Sequence, residues 1–264
     1  METYHRKFTI GVDDAYAIGE KELLSDATVG LLTVPFPAGE IIFPYGNTSF
    51  ASNGYYYSAS AFLLPEIRIS PMLTELKGDY AAFGFFISPI ELFEYTGLGF
   101  PDIRGSKKLA RALKQMAVEV QSGSILNQVD FTRLLHQHLD LPQQRENCYR
   151  VITDFIQEVE ACRASKLVEV TKSIAFSGKH LRSTFKDVFG ISPKKYLQLI
   201  QIQRVLGDMV CGEKFSLTDI AYRNGFYDQS HFNRVFKRFA GLCPRTFRKG
   251  YQHYAAIFKN TLVL

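Results

Sequence analysis

A single internal repeat in the carboxy-terminal part restricts this chain's fold more than any other feature. Val170-Thr-Lys-Ser-Ile-Ala-Phe176 aligns with Ile220-Ala-Tyr-Arg-Asn-Gly-Phe226 at an offset of 50 residues. Phe185-Lys-Asp-Val-Phe-Gly190-Ile-Ser-Pro193 then aligns with Phe236-Lys-Arg-Phe-Ala-Gly241-Leu-Cys-Pro244 at an offset of 51, and Tyr196 and Phe247 continue the register. A duplication at nearly constant offset means one supersecondary unit used twice.

Each unit reads as a short helix, a tight turn and a longer helix. In the second copy Ser216 caps a helix through Leu217, Ile220 and Ala221, with Asp219 completing the cap. Asn224-Gly225 supplies a residue that tolerates left-handed backbone, so the chain turns there. Asp228 caps the next helix, which places Phe232, Val235, Phe236 and Phe239 on one face and Gln229, Asn233, Arg234 and Lys237 on the other. This pattern predicts a helix-turn-helix whose second helix carries groove-reading chemistry. In the first copy Thr171 and Ala175 replace the small Ala and the turn Gly. There Ser177 caps a helix that packs Leu181, Phe185 and Val188 and shows Lys179, Arg182, Ser183 and Lys186. Pro193, just after Ser192, opens a long helix to about Met209. Its ~17 residues span roughly 25 Å, so units at its two ends approach the ~34 Å of one duplex turn.

Charge divides the chain where the repeat begins. Residues 1–163 hold 14 Lys and Arg against 20 Asp and Glu, a net of −6; residues 164–264 hold 17 against 6, a net of +11. A basic hundred-residue segment suits phosphate neutralisation with counterion release, although basic domains also bind acidic proteins and anionic lipid. The acidic half is not expected to lie along DNA.

Up to about Pro101 the sequence is rich in Tyr, Phe and Ile and broken by Pro and Gly. Val29–Val34, Glu40–Tyr45, Tyr55–Leu64, Glu66–Ile69 and Ala82–Ile87 read as short strands between turn signals. Three helices follow, marked by Leu109, Leu113, Met116 and Val120, by Phe131, Leu134, Leu135 and Leu139, and by Val151, Ile152, Phe155 and Val159. They suit covering the β domain, dimerisation, or both. The expected fold is α+β with two domains. Residues 1–163 form a β-rich, cupin-like or small-barrel sensing or dimerisation domain with trailing helices at about 105–163. Residues 164–264 form an all-α domain of seven helices with two helix-turn-helix units joined by a long helix.

The stretch Ser216-Leu-Thr-Asp-Ile-Ala-Tyr-Arg-Asn-Gly-Phe-Tyr-Asp-Gln-Ser-His-Phe-Asn-Arg-Val-Phe-Lys-Arg-Phe-Ala-Gly-Leu-Cys-Pro244 closely resembles the DNA-binding signature of the AraC/XylS family of bacterial transcription regulators. With His180-Leu-Arg-Ser-Thr-Phe-Lys and Gly190-Ile-Ser-Pro-Lys-Lys-Tyr196 the resemblance covers about residues 166–250. Thr171, Ala175 and Cys243 depart from the pattern, Cys243 standing where the family usually has a capping Ser. Pro37-Ala-Gly-Glu-Ile-Ile-Phe-Pro-Tyr-Gly46 and the stretch from Phe83 to Gly97 look like the β-rich amino-terminal domains of some members.

The resemblance implies base-edge contacts from Lys179, Arg182 and Ser183 in the first unit and from Gln229, Ser230, Asn233 and Arg234 in the second. Arg and Lys suit guanine acceptors, and Asn and Gln suit adenine. The plainer use of these side chains is a solvated face or phosphate positioning. Lys172, Lys186, Lys194, Lys195, Lys237 and Arg238 are the expected phosphate contacts, and Phe185, Phe232, Phe236 and Phe247 the expected core. Phe43, Tyr45, Tyr55, Tyr57 and Phe62 are candidates for a small-molecule pocket in the β domain, with barrel core an equal use for them.

The resemblance implies double-stranded DNA and RNA polymerase as partners, with a small-molecule effector and a homodimer as further candidates. No Ser-His-Asp set, phosphate loop or paired-carboxylate motif is recognisable, and no cofactor or metal site is expected. The module also occurs in alkylation-repair proteins with a methyl-accepting Cys, but residues 1–147 contain no Cys. The competing non-enzymatic reading is an interaction protein whose module has lost sequence readout. Four scattered cysteines, Cys148, Cys162, Cys211 and Cys243, and the absence of an apolar run of membrane length point to a cytoplasmic protein with free thiols.

Overall fold

A computed structural model describes residues 15–20, 28–33, 39–45, 49–52, 55–57, 62–64, 72–77, 80–103, 106–122, 128–139, 146–161, 167–211, 215–254 and 261–263. The strands are β1 (Ala15–Glu20), β2 (Thr28–Thr33), β3 (Gly39–Tyr45), β4 (Ser49–Ser52), β5 (Tyr55–Tyr57), β6 (Phe62–Leu64), β7 (Met72–Lys77), β8 (Tyr80–Ile87) and β9 (Thr261–Val263). They form a four-stranded sheet in the order β1-β8-β3-β6 and a five-stranded sheet in the order β5-β4-β7-β2-β9. All pairings are antiparallel; in the first sheet Ile41 faces Phe85 and Phe43 faces Phe83, and in the second β9 brings Val263 opposite Leu31. The expected strands at 40–45 and 82–87 lie on β3 and β8, and that at 29–34 lies on β2 up to Thr33, with Val34 outside the described residues. The stretch 55–64 is divided between β5 and β6, and 66–69 lies outside the described residues.

Ile41, Phe43, Phe85 and Ile87 are buried at alternate positions, so β3 and β8 turn one apolar face inward. Helix α1 (Pro89–Thr96) follows β8 directly. Ser88 accepts the Glu91 backbone N–H while the Glu91 carboxylate accepts the Ser88 N–H, Pro89 stands at the first helical position, and Gly97 ends the helix at φ 68°. Helices α2 (Lys107–Gln121) and α3 (Gln128–His138) cover this sheet. Phe131 of α3 stacks on Phe85 at 4.2 Å, and Tyr95 of α1 shares a hydrogen bond of 2.9 Å with His136.

Helix α4 (Glu146–Ala161) precedes the basic segment, yet its apolar stripe packs on the helices that follow. These are α5 (Leu167–Ser173), α6 (Gly178–Phe189), α7 (Pro193–Cys211), α8 (Leu217–Arg223), α9 (Gln229–Ala240) and α10 (Pro244–Tyr254). Phe155 of α4 meets Phe185 of α6 edge-on at 4.8 Å, and Arg204 of α7 donates to the Val159 carbonyl at 2.6 Å. Among the described residues six helices, not the expected seven, lie in 164–264, and α4, which falls within 1–163, packs against α5 and α6. Tyr196 completes an aromatic cluster with Phe155, Phe185 and Phe189, where burial pushes its phenol well above the ordinary range. No helix among the described residues is long and apolar enough to cross a membrane.

Candidate nucleic-acid interface

The second unit is built from two capped helices and a glycine turn. Ser216 accepts the Asp219 backbone N–H, and the Asp219 carboxylate accepts both the Ser216 N–H and its hydroxyl. Those bonds to Ser216 hold the Asp219 carboxyl below its usual range. Gly225 takes φ 74°, the left-handed backbone that glycine adopts without steric cost. Asp228 then caps α9 through the His231 N–H at 2.6 Å. Phe232, Val235, Phe236, Phe239 and Ala240 are buried on α9, which leaves Gln229, Ser230, Asn233, Arg234, Lys237 and Arg238 exposed on one polar face.

The turn itself is fastened to α7. Gln201, only 7% exposed, donates to the Asn224 carbonyl at 2.6 Å. The Asn224 side-chain amide donates to Asp208 at 2.8 Å and to the Ile220 carbonyl at 2.9 Å. On the other side Arg248 of α10 donates to the Phe215 carbonyl at 2.7 Å, and the Arg223 guanidinium lies 4.1 Å from the centre of the Phe215 ring. Helix α9 is thereby fixed relative to the helix that joins the two units.

In the first unit Ser177 accepts the His180 N–H at the start of α6, and Gly190 ends the helix at φ 71°. Leu181, Thr184, Phe185, Val188 and Phe189 are buried, while Lys179, Arg182, Ser183 and Lys186 are exposed together. The Ser183 hydroxyl lies 3.5 Å from the Asp187 carboxylate. Arg182 lies back along the first turn, with Nη1 3.3 Å from where a Cβ on Gly178 would stand.

Of the expected phosphate contacts, Lys172 is exposed on α5, Lys186 on α6, Lys194 and Lys195 on the first turn of α7, and Lys237 on α9. Arg238 is exposed but engaged: it donates to Gln198 at 3.0 Å and its guanidinium lies 5.1 Å from the Phe239 ring centre. Phe185, Phe232, Phe236 and Phe247 are fully buried.

The candidate pocket residues fall on both sheets, Phe43, Tyr45 and Phe62 on the four-stranded one and Tyr55 and Tyr57 on the five-stranded one. Phe43 is buried between Phe85 and Phe131, at 5.9 and 6.2 Å. The side chains of Tyr45, Tyr55, Tyr57 and Phe62 lie outside the described residues, as do those of Cys148, Cys162 and Cys211.

Sequence reasoning missed two exposed aromatics that bracket the turn of the second unit. Tyr222, at the end of α8, is 62% exposed, and Tyr227, immediately before the Asp228 cap, is 87% exposed. Their signal is an aromatic at a polar-face position on an otherwise amphipathic helix-turn-helix. Also missed were the Gln201 and Asp208 bonds to the turn, for which a helical pattern read one segment at a time holds no signal.

Residues 170–250 match the family model of a helix-turn-helix domain. The HTH-type transcriptional activator RhaS of Escherichia coli is 32% identical over 81 residues, which cover 31% of this chain and 29% of RhaS. RhaS of the K12 strain matches to the same extent. The matched stretch is thus less than a third of the length of these curated relatives. Among solved structures, apo ToxT from Vibrio cholerae aligns over 91% of this chain and 98% of its own at 11% identity, with a TM-score of 0.49. ToxT from Vibrio cholerae O395 does so over 89% and 95% at 12% identity, with a TM-score of 0.47. Those structural likenesses are too distant to bear on function. The class of the carboxy-terminal part is a helix-turn-helix module. More particularly, residues 170–250 form a helix-turn-helix domain similar in sequence to part of the HTH-type transcriptional activator RhaS.

Proposed function

We propose that this chain is a sequence-specific DNA-binding transcription regulator, not an enzyme, which reads two successive major grooves with α6 and α9. The observation that supports this best is that two polar, cation-bearing helix faces stand on units joined by α7, with every large apolar residue of α6 and α9 turned inward. The 19 residues of α7 span about 28 Å, close to the ~34 Å of one duplex turn.

Lys179, Arg182, Ser183, Gln229, Ser230, Asn233 and Arg234 are assigned to base edges. Lys172, Lys186, Lys194, Lys195, Lys237 and Arg238 are assigned to phosphates, Arg238 after release of Gln198. Residues 1–163 are assigned to a β-rich sensing or dimerisation domain, cupin-like or a small barrel, and 164–264 to the DNA-binding domain. A signal or a second copy at the amino-terminal domain then alters how the units sit on DNA or meet RNA polymerase in the cytoplasm.

Site selection from a random duplex pool with purified protein, followed by binding of selected and random duplexes across a salt series, tests the reading. A recovered motif with two half-sites about one turn apart is expected, bound at least ~10³-fold more tightly than random sequence. Equal affinity for all duplexes sinks it and leaves a phosphate-binding module without readout.

A further inference from the structure

The two reading helices are not held alike. Helix α9 packs on α7, α8 and α10. Helix α6 packs on α4, α7 and α1 and, in addition, on the segment that follows α1. There the Phe100 N–H donates to the Val188 carbonyl at 2.9 Å, taking up one of the carbonyls that a helix leaves unsatisfied in its last turn. Phe100 is 2% exposed. Gly99 lies against the α6 backbone so closely that a Cβ on it would run into the Asp187 carbonyl and stand 2.9 Å from Val188 Cα. Pro101 reaches the end of the helix, with Cγ 3.4 Å from where a Cβ on Gly190 would be.

The segment that makes these contacts is itself stiff. Thr96 donates to the Leu92 carbonyl at 2.6 Å and accepts the Leu98 N–H at 3.1 Å. The Gly99 carbonyl accepts from both Asp102 and Ile103. Upstream, α1 begins one residue after β8, and its buried Leu92 and Tyr95 tie it into the amino-terminal core. A short run of bonded backbone therefore connects the four-stranded sheet to the carboxy end of α6, the kind of packed contact through which coupling between rigid elements can travel.

We propose that the Leu98–Pro101 turn is a positioning element that couples the amino-terminal half directly to the first reading helix, setting the pose of α6 on DNA, whereas α9 meets that half through α10, which packs on β9. It rests on the DNA-reading function proposed above. The turn grips α6 at Asp187, Val188 and Gly190, the end away from Lys179 and Arg182, and leaves the reading face exposed. Seating therefore orients α6 and does not occlude it. Gly99 and Phe100 are positioning residues here, acting on bases only through α6.

The test uses the full chain with Gly99→Ala, whose added methyl meets backbone that cannot yield. Gly207→Ala, on α7 where a Cβ meets nothing within 4 Å, serves as the control. Duplexes selected by the unaltered chain are bound with each half-site scrambled in turn. Gly99→Ala is expected to lose about tenfold on the half-site read by α6 and to keep its affinity on the half-site read by α9. In the free protein its last-turn α6 amides are expected to exchange faster, with those of α9 unchanged. Equal losses on both half-sites, or no loss, overturn the proposal, as does unchanged α6 exchange. If Gly99→Ala does not fold, Phe100→Leu, which trims the buried ring and keeps the backbone bond, takes its place with the same expected split. Failure of the unaltered chain to prefer any duplex defeats the regulator reading instead, and amide exchange then decides the coupling alone.

Discussion

The side-chain amide of Gln201, in the middle of the long helix α7, donates a 2.6 Å hydrogen bond to the main-chain carbonyl of Asn224, in the turn between α8 and α9. Twenty-three residues apart in sequence, the two fix the angle at which α9 leaves its partner helix. A turn carbonyl facing a buried surface needs such a partner, because burying it unpaired costs the desolvation of a peptide group.

Replacing Gln201 with Leu is therefore expected to lower stability by ~1–3 kcal/mol, the cost of a buried acceptor left unmade. Urea unfolding of the full chain measures it. A loss of only a few tenths would mean that another donor reaches the Asn224 carbonyl.

Arg234 and Lys194 should separate base reading from phosphate binding. Arg234→Ala is predicted to cost ~1–3 kcal/mol on a selected duplex and much less on random sequence. Lys194→Ala should weaken both by a similar factor and reduce the salt slope by about 1. Titrations at several salt concentrations decide, and equal losses on both duplexes for Arg234→Ala would reassign that residue to phosphate.

Phe155 belongs to α4 yet is buried against Phe185 and Tyr196 of the first unit. Phe155→Ala is expected to destabilise by ~3–5 kcal/mol, the range for removing a buried aromatic ring. Amide exchange in α6 and α7 should accelerate accordingly. Acceleration confined to residues 1–145 would place that ring in the other half's core.

Cys243 stands at the entry to α10, exposed, with its sulfur 2.9 Å from the Thr246 hydroxyl. The Thr246 hydroxyl, and after it the Thr246 backbone N–H, hold the thiol below its ordinary range. Because the folded value is the lower one, the associated stabilisation is present above the unfolded thiol value and disappears as pH falls through the folded value. Alkylation of Cys243, followed by peptide mass spectrometry against pH, should show its half-point below that of a free cysteine, and Thr246→Val should move it upward. A half-point insensitive to that substitution would remove Thr246 as the cause.

The helix-turn-helix part was legible because its signals are local. Ser177, Ser216 and Asp228 cap the helices they precede, Gly225 turns the chain, and apolar positions at helical spacing become the buried faces of α6 and α9. Helix α1 was legible and went unread: Ser88, Pro89 and Glu91 spell a capping box with proline at the first position. Strands β1, β4 and β7 were harder, since a short strand takes its identity from partners distant in sequence, as Leu76 opposite Val29 and Phe50 shows.

By itself, then, the sequence determined the duplicated unit, its caps and turns, and the division of charge, all properties of residues within a few positions of one another or of a sum over a segment. The tertiary structure alone decided that α4 packs with the helices after it, that Gln201 secures the second turn, and that Gly99 and Phe100 grip the end of α6. Each of these joins side chains and backbone across long sequence separations. Such contacts depend on how whole elements pack in three dimensions, and periodicity along one segment carries no information about which distant surface it will meet.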